Sequence, residues 1–96
     1  AAKLGTPVLA PADGRVVFSG VRKGYGNVVE IDHENGYRTL LAHNSRLLVR
    51  AGDIVRSGME IAKAGSTGWS TGVHVHVEIR KDGKLINPIG YLVSAK

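Results

Sequence analysis

Cysteine is absent from the 96 residues. Disulfides and thiolate metal sites are therefore excluded, and any metal must be held by His, Asp or Glu. Long apolar runs are also missing. None approaches the ~20 residues that a membrane-spanning helix needs. There is no secretory leader pattern, and the chain opens Ala1-Ala2-Lys3-Leu4-Gly5 without a Met, as a mature product or an excised piece would. Lack of a targeting segment thus says nothing about location. Aromatic residues number five, Phe18, Tyr25, Tyr37, Trp69 and Tyr91, and they are scattered. Nucleic-acid binding usually stacks bases on grouped aromatics, so that partner is not expected. Acidic residues are outnumbered, 8 against 13 Lys and Arg, for a formal charge of +5. The basic residues form no run. They suit a solvated basic surface or attraction to a polyanion, whether nucleic acid, anionic lipid or bacterial cell-wall polymer. No segment carries a convincing 3.6-residue period.

What the chain does have is turns. Asp13-Gly14, Lys23-Gly24-Tyr25-Gly26, Asn35-Gly36, Ala51-Gly52-Asp53, Ser57-Gly58, Ser66-Thr67-Gly68 and Asp82-Gly83 separate short apolar runs. Turns at that spacing imply an all-β fold, a small antiparallel sheet of sandwich or barrel-like form. Strands are predicted at about Pro7–Ala10, Arg15–Val21, Asn27–His33, Tyr37–His43, Glu60–Ala64 and Val73–Arg80, with Asn35-Gly36 closing a tight hairpin. Asn87-Pro88 could begin one short helical turn. No linker divides the chain, so residues 1–96 read as one domain. Thr6–Gly14 and Val49–Gly58 echo each other, and both resemble half of a biotinyl or lipoyl carrier. The only methionine, Met59, has no lysine beside it, so the echo reads as shared sheet architecture and not as a shared modification site.

The densest chemistry lies in Gly72-Val73-His74-Val75-His76-Val77-Glu78-Ile79-Arg80. Apolar and polar residues alternate, as on a half-buried strand. Val73, Val75, Val77 and Ile79 face a core, and His74, His76 and Glu78 face the other way. Residues two apart on a strand lie about 6.5–7 Å apart on one face. Two imidazoles side by side suit a metal ligand with a neighbour that reaches toward whatever the metal holds, although a histidine on an exposed strand is also an ordinary surface residue. His33 reads as an exposed hairpin residue. His43 closes a predicted strand before Asn44-Ser45, and sites often sit at such strand ends.

Taken in order, several stretches carry a family resemblance. They are Gly5-Thr6-Pro7-Val8 with Ala10–Gly14; Gly24-Tyr25-Gly26-Asn27; Ile31-Asp32-His33 with Asn35-Gly36-Tyr37; Ala42-His43-Asn44-Ser45; Val49–Gly58; Gly65–Gly68 with Ser70-Thr71-Gly72; His74-Val75-His76 with Glu78-Ile79-Arg80; and Asn87-Pro88. The chain resembles the LytM or lysostaphin type of M23 zinc metallopeptidase, which cuts peptidoglycan, across nearly its whole length. The resemblance implies a LytM-like fold with a duplicated hybrid motif, a Zn2+ cofactor, a peptidoglycan peptide substrate and residence in the bacterial cell envelope, periplasmic or secreted. It implies that His76 is a metal ligand. It implies that His43 and His74 are catalytic, facing the metal-bound water or the substrate carbonyl, where an imidazole can move a proton or steady an oxyanion. Trp69, in the glycine-rich loop Gly65–Gly72, could line the groove or pack the loop down. Leu41, Val75 and Val77 stand where the family often has Tyr, Leu and Phe.

The family's other two ligands, a His and an Asp four residues apart, fall just before the segment that matches Ala1-Ala2. Two readings follow. The chain is an N-terminally incomplete peptidase domain whose parent carries both ligands, or it is a degenerate, metal-free relative that activates a cell-wall amidase or binds peptidoglycan. Survival of His43, His74 and His76 favours the first. A zinc site made of those three histidines is a further alternative. A phosphocarrier bearing an active histidine on a strand is another, to which Ala42-His43-Asn44-Ser45 does not point.

Overall fold

A computed structural model of the protein describes residues 4–65 and 76–86. Among these the chain forms eight strands: β1 Pro7–Leu9, β2 Gly14–Arg22, β3 Gly26–Asp32, β4 Tyr37–Leu47, β5 Ile54–Val55, β6 Glu60–Ala64, β7 His76–Lys81 and β8 Lys84–Ile86. All pairings are antiparallel, in the order β1-β6-β4-β3-β2-β5, with β7 beside β4 and β8 beside β7. The all-β expectation is met. Left-handed residues make the tight reversals. Asn35 (φ 65°) and Gly36 (φ 79°) turn β3 into β4, and Asp82 (φ 50°) and Gly83 (φ 82°) turn β7 into β8.

The two echoing segments turn out to be partners. Gly14 stands opposite Val55, and Val8 stands opposite Ala62, just past the second segment. Between these ladders Ala10 and Gly58 close the ribbon, with Ala10 N–H donating to Met59 O and Gly58 N–H donating to Ala10 O. One chain path runs β1 into β2 and the other β5 into β6, so this ribbon curls the sheet back on itself. Asp13 Oδ1 holds the corner by accepting the Ser57 N–H at 2.7 Å. Val8, Val16, Val29, Ile31, Leu41, Val55, Ile61 and Val77 fill the concave core. Burial of such side chains supplies the main drive to fold. On the opposite face Val28, Leu40 and Ala42 form a smaller cluster, with Phe18 and Tyr25 packed against it. As expected, Val77 and Ile79 join the core and His76 and Glu78 do not.

The strands depart from the sequence expectation chiefly in three places. β5 and β8 are additional, and at two and three residues they are too short to show a period. β4 does not end at His43 but continues to Leu47. The reason is a β-bulge: the pairing of β3 with β4 steps from Val29–Leu41 to Asn27–Asn44, setting one residue of β3, Val28, against two of β4, Ala42 and His43. His43 absorbs the extra residue in the left-handed region, with φ 64°. Asn44, polar yet fully buried, donates from Nδ2 to Leu41 O and to Asn27 O, both at 3.0 Å. Beyond it, Ser45 lies so close to Gly65 that a Cβ on the glycine would sit 2.5 Å from Ser45 N.

Candidate functional site

At the bulge β4 exchanges one neighbour for another. Tyr37–Ala42 pair with β7, and Asn44–Leu47 pair with β6. His43 occupies the seam between those ladders, and its N–H donates to Tyr25 O at 2.9 Å. His76 of β7 stands directly opposite Ala42 and so borders the seam. The two imidazoles meet edge to face with centroids 5.9 Å apart. Two of the residues selected from the sequence are thus brought together from strands distant in the chain. His74 and Trp69 lie outside the described residues, as does the tail from Asn87.

A buried carboxylate backs the pair. Glu78 is 8% exposed and lies two residues after His76 on the same strand. Its Oε2 lies 3.0 Å from His76 Nε2 and accepts the Tyr25 hydroxyl at 3.0 Å. Its Oε1 accepts Arg80 Nη2 at 3.2 Å. Burial pushes the Glu78 carboxyl up, but hydrogen bonds from His76 and Tyr25 and the charges of His76 and Arg80 outweigh it and hold the group below its ordinary range. The Tyr25 hydroxyl is raised, first by its hydrogen bond to Glu78 and then by that group's charge and by burial. Tyr25 therefore serves the site twice, holding His43 through its carbonyl and Glu78 through its hydroxyl. Its ring lies 6.1 Å from that of His76. The strand spacing His76-x-Glu78 signalled the carboxylate's side, but nothing near Tyr25 in sequence linked it to either histidine.

Past Arg80 the same face is a ladder of charges. Arg22 pairs with Glu30 at 2.8 Å, and Arg38 lies 3.6 Å from Glu30 and 3.9 Å from Asp32. Glu30, Asp32, Arg38 and Arg80 line a depression of about 350 Å³ there. A larger open cleft of about 810 Å³ lies around Asp13, Arg15, His33 and Arg56, and includes neither His43 nor His76. His33 within it is not the exposed turn residue expected from sequence. Its Nδ1 lies 2.7 Å from Asp13 O, tying the hairpin to the β1–β2 corner, and its Nε2 lies 2.7 Å from Thr39 Oγ1 within the hairpin itself.

Among the described residues no group of three or more His, Cys, Asp or Glu side chains could hold a metal ion. His76 fits one ligand position of a zinc site: an imidazole, steadied by a carboxylate in the manner of histidine ligands. The described residues do not complete such a site.

Solved structures that share this curled antiparallel sheet at 33–38% identity include peptidase domains. The sequence profile of peptidase family M23 matches residues 1–88, and the chain belongs to that family. It is 51% identical over 89 residues to the DD-carboxypeptidase/endopeptidase Mpg of Neisseria meningitidis serogroup B, an alignment covering 93% of this chain and 20% of that protein. It is 46% identical over 89 residues to the murein hydrolase activator NlpD of Escherichia coli K12, covering 92% of this chain and 23% of the relative. Among solved structures, a zinc-containing peptidase from Vibrio cholerae superposes with a TM-score of 0.82 at 38% identity, over 90% of this chain and 26% of that one. The chain thus spans about a fifth of the length of those two curated relatives.

Proposed function

We propose that this segment is the greater part of a zinc-dependent endopeptidase domain that hydrolyses peptide bonds in peptidoglycan, in cross-bridges or stem peptides, within the bacterial cell envelope. The observation that carries this reading is the pairing of His43 with His76 at the β4 seam, with His76 backed by the buried Glu78. In this reading His76 holds the metal together with a His and an Asp from outside the present sequence. When bound, zinc supplies Lewis acidity, polarising the scissile carbonyl and activating water. His43 and His74 supply proton transfer and oxyanion stabilisation. The basic character of the chain favours residence near anionic wall polymers.

The test is loss of turbidity from purified cell walls by the full-length protein. Clearing that stops with a chelator and returns with zinc supports the reading. His74→Ala is expected to abolish clearing while zinc stays bound, and full activity in that variant would remove the role given to His74.

The relative named a murein hydrolase activator favours a second reading, in which the domain binds and activates a cell-wall amidase without metal. Amidase activation indifferent to chelators, with no clearing by the protein alone, would select it.

A further inference from the structure

We propose that Arg38 and Arg80, directly opposite each other on β4 and β7, form a subsite for a carboxylate of the substrate peptide, remote from the bond that is cut. The substrate half of this proposal rests on the reading of the chain as acting on peptidoglycan peptides. The anion site itself does not.

Arg15 of β2, Asp32 of β3, Arg38 of β4, Arg80 of β7 and Leu85 of β8 stand opposite one another in turn, one row across the outer face. Three guanidiniums in that row meet one carboxylate, and two of the guanidiniums are neighbours. Like charges directly opposite each other are destabilising. No carboxylate among the described residues hydrogen-bonds both arginines. Glu30 is held by Arg22 at 2.8 Å. Arg38 lies 3.6 Å from Glu30 and 3.9 Å from Asp32, beyond hydrogen-bond distance. Arg80 makes one hydrogen bond among the described residues, from Nη2 to Glu78 at 3.2 Å. Exposed ion pairs contribute little to stability, so the fold gains little from setting two arginines here.

The space at the pair suits a ligand. Both side chains are half exposed and line the depression of about 350 Å³, together with Glu30, Asp32 and the hairpin glycines Gly36 and Gly83, which bring no side chain into it. A guanidinium offers parallel N–H groups that match a carboxylate bidentately. Glu30 and Asp32 in the same depression would oppose a more highly charged anion such as a phosphate monoester. The place fits a peptide that also reaches the histidines. Arg80 follows His76 by four residues on the same face of β7, a distance of about 13 Å. An extended peptide advances about 3.3 Å per residue, so the carboxylate would belong to a residue about four positions from the scissile bond.

The test uses the full-length protein with its metal removed by a chelator, so that nothing is cut. Peptides released from purified cell walls are tagged on their amines with a neutral dansyl group. One half is left as it is, and the other has its carboxylates converted to methylamides. Fluorescence anisotropy measures the binding of both. Wild type is expected to bind the unmodified peptides about 10-fold more tightly than the amidated ones, as a charge-assisted hydrogen bond would give. Arg38→Gln should remove most of that preference and bind the amidated peptides as wild type does. If that variant does not fold, Arg38→Lys takes its place, since an ammonium lacks the paired N–H groups and should also lower the preference. Equal binding of both peptide sets by the wild type, or an undiminished preference in the Arg38 variant, overturns the proposal. Displacement of the peptides by inorganic phosphate well below the concentration of acetate required would overturn the carboxylate assignment. Zinc-dependent wall clearing by the same wild type is read separately. An Arg38-dependent preference without clearing removes the endopeptidase reading and leaves the subsite. Clearing without the preference removes the subsite alone.

Discussion

Replacing His43 by glycine will leave the fold more stable than replacing it by alanine. His43 lies at φ 64°, a conformation forced by the bulge that lets β4 change neighbours. Both substitutions delete the imidazole and all its contacts, so the difference between them isolates the backbone. A Cβ in the left-handed region costs about 1–2 kcal/mol. Glycine gives back about 0.4–1 kcal/mol through the greater freedom of its unfolded chain. The balance favours glycine by roughly 0.5–1 kcal/mol, or a few degrees in Tm for a domain of this size. Urea unfolding of the two variants, followed by tryptophan fluorescence, measures it. Ala42→Gly is the control. Ala42 is buried one residue earlier and is not left-handed, so glycine there should only destabilise. An alanine variant at position 43 as stable as the glycine variant would refute the account of the bulge. Because neither variant restores an imidazole, the extra stability is expected without any cell-wall clearing.

Leu41 is fully buried in the concave core between β3 and β7, and Leu41→Ala should cost about 2–5 kcal/mol in chemical denaturation. Gly65→Ala would put a methyl 2.5 Å from Ser45 N and 2.8 Å from its Cα, backbone atoms that cannot rotate aside. It should cost about 1–3 kcal/mol and speed amide exchange across Ser45–Leu47, where unchanged protection would show that the contact is relieved cheaply. The lowered pKa of Glu78 fixes the sign of a pH effect: its contribution to stability is fully present above the ordinary carboxylate range and is lost as pH falls through the folded-state pKa. Stability measured from about pH 7 down to about pH 3 should fall less steeply in Glu78→Gln than in wild type, and parallel curves would mean that the carboxylate contributes nothing by its charge.

The parts of this fold that were readable in sequence are those governed by neighbours in the chain. Alternation in β2, β3, the first half of β4 and β7 fixes which residues face the core, and Asn35-Gly36 turns where it should. β4 was foreshortened because Asn44-Ser45 interrupts the alternation. Asn44 is nevertheless buried, since its amide donates to the carbonyl of Asn27, seventeen residues away. His43 and His76 were selected through the family resemblance carried by the motifs around them, and their strand spacing alone left a surface role open. Glu78 was placed on the correct face by its spacing from His76. Tyr25 was missed as a site residue because its link to Glu78 spans 53 positions.

The sequence by itself determined an antiparallel sheet without disulfide or thiolate chemistry, the sidedness of its strands, and the histidines available to a site. Those follow from composition and from the stereochemistry of single strands, in which successive side chains alternate. Only the tertiary structure decided that β4 lies between β3 on one edge and β7 then β6 on the other, that His43 marks the change, and that one tyrosine ties both histidines' supports together. Strand partners are chosen by which apolar faces can be closed over one another at once. That is a property of the whole sheet, and no short stretch of the chain contains it.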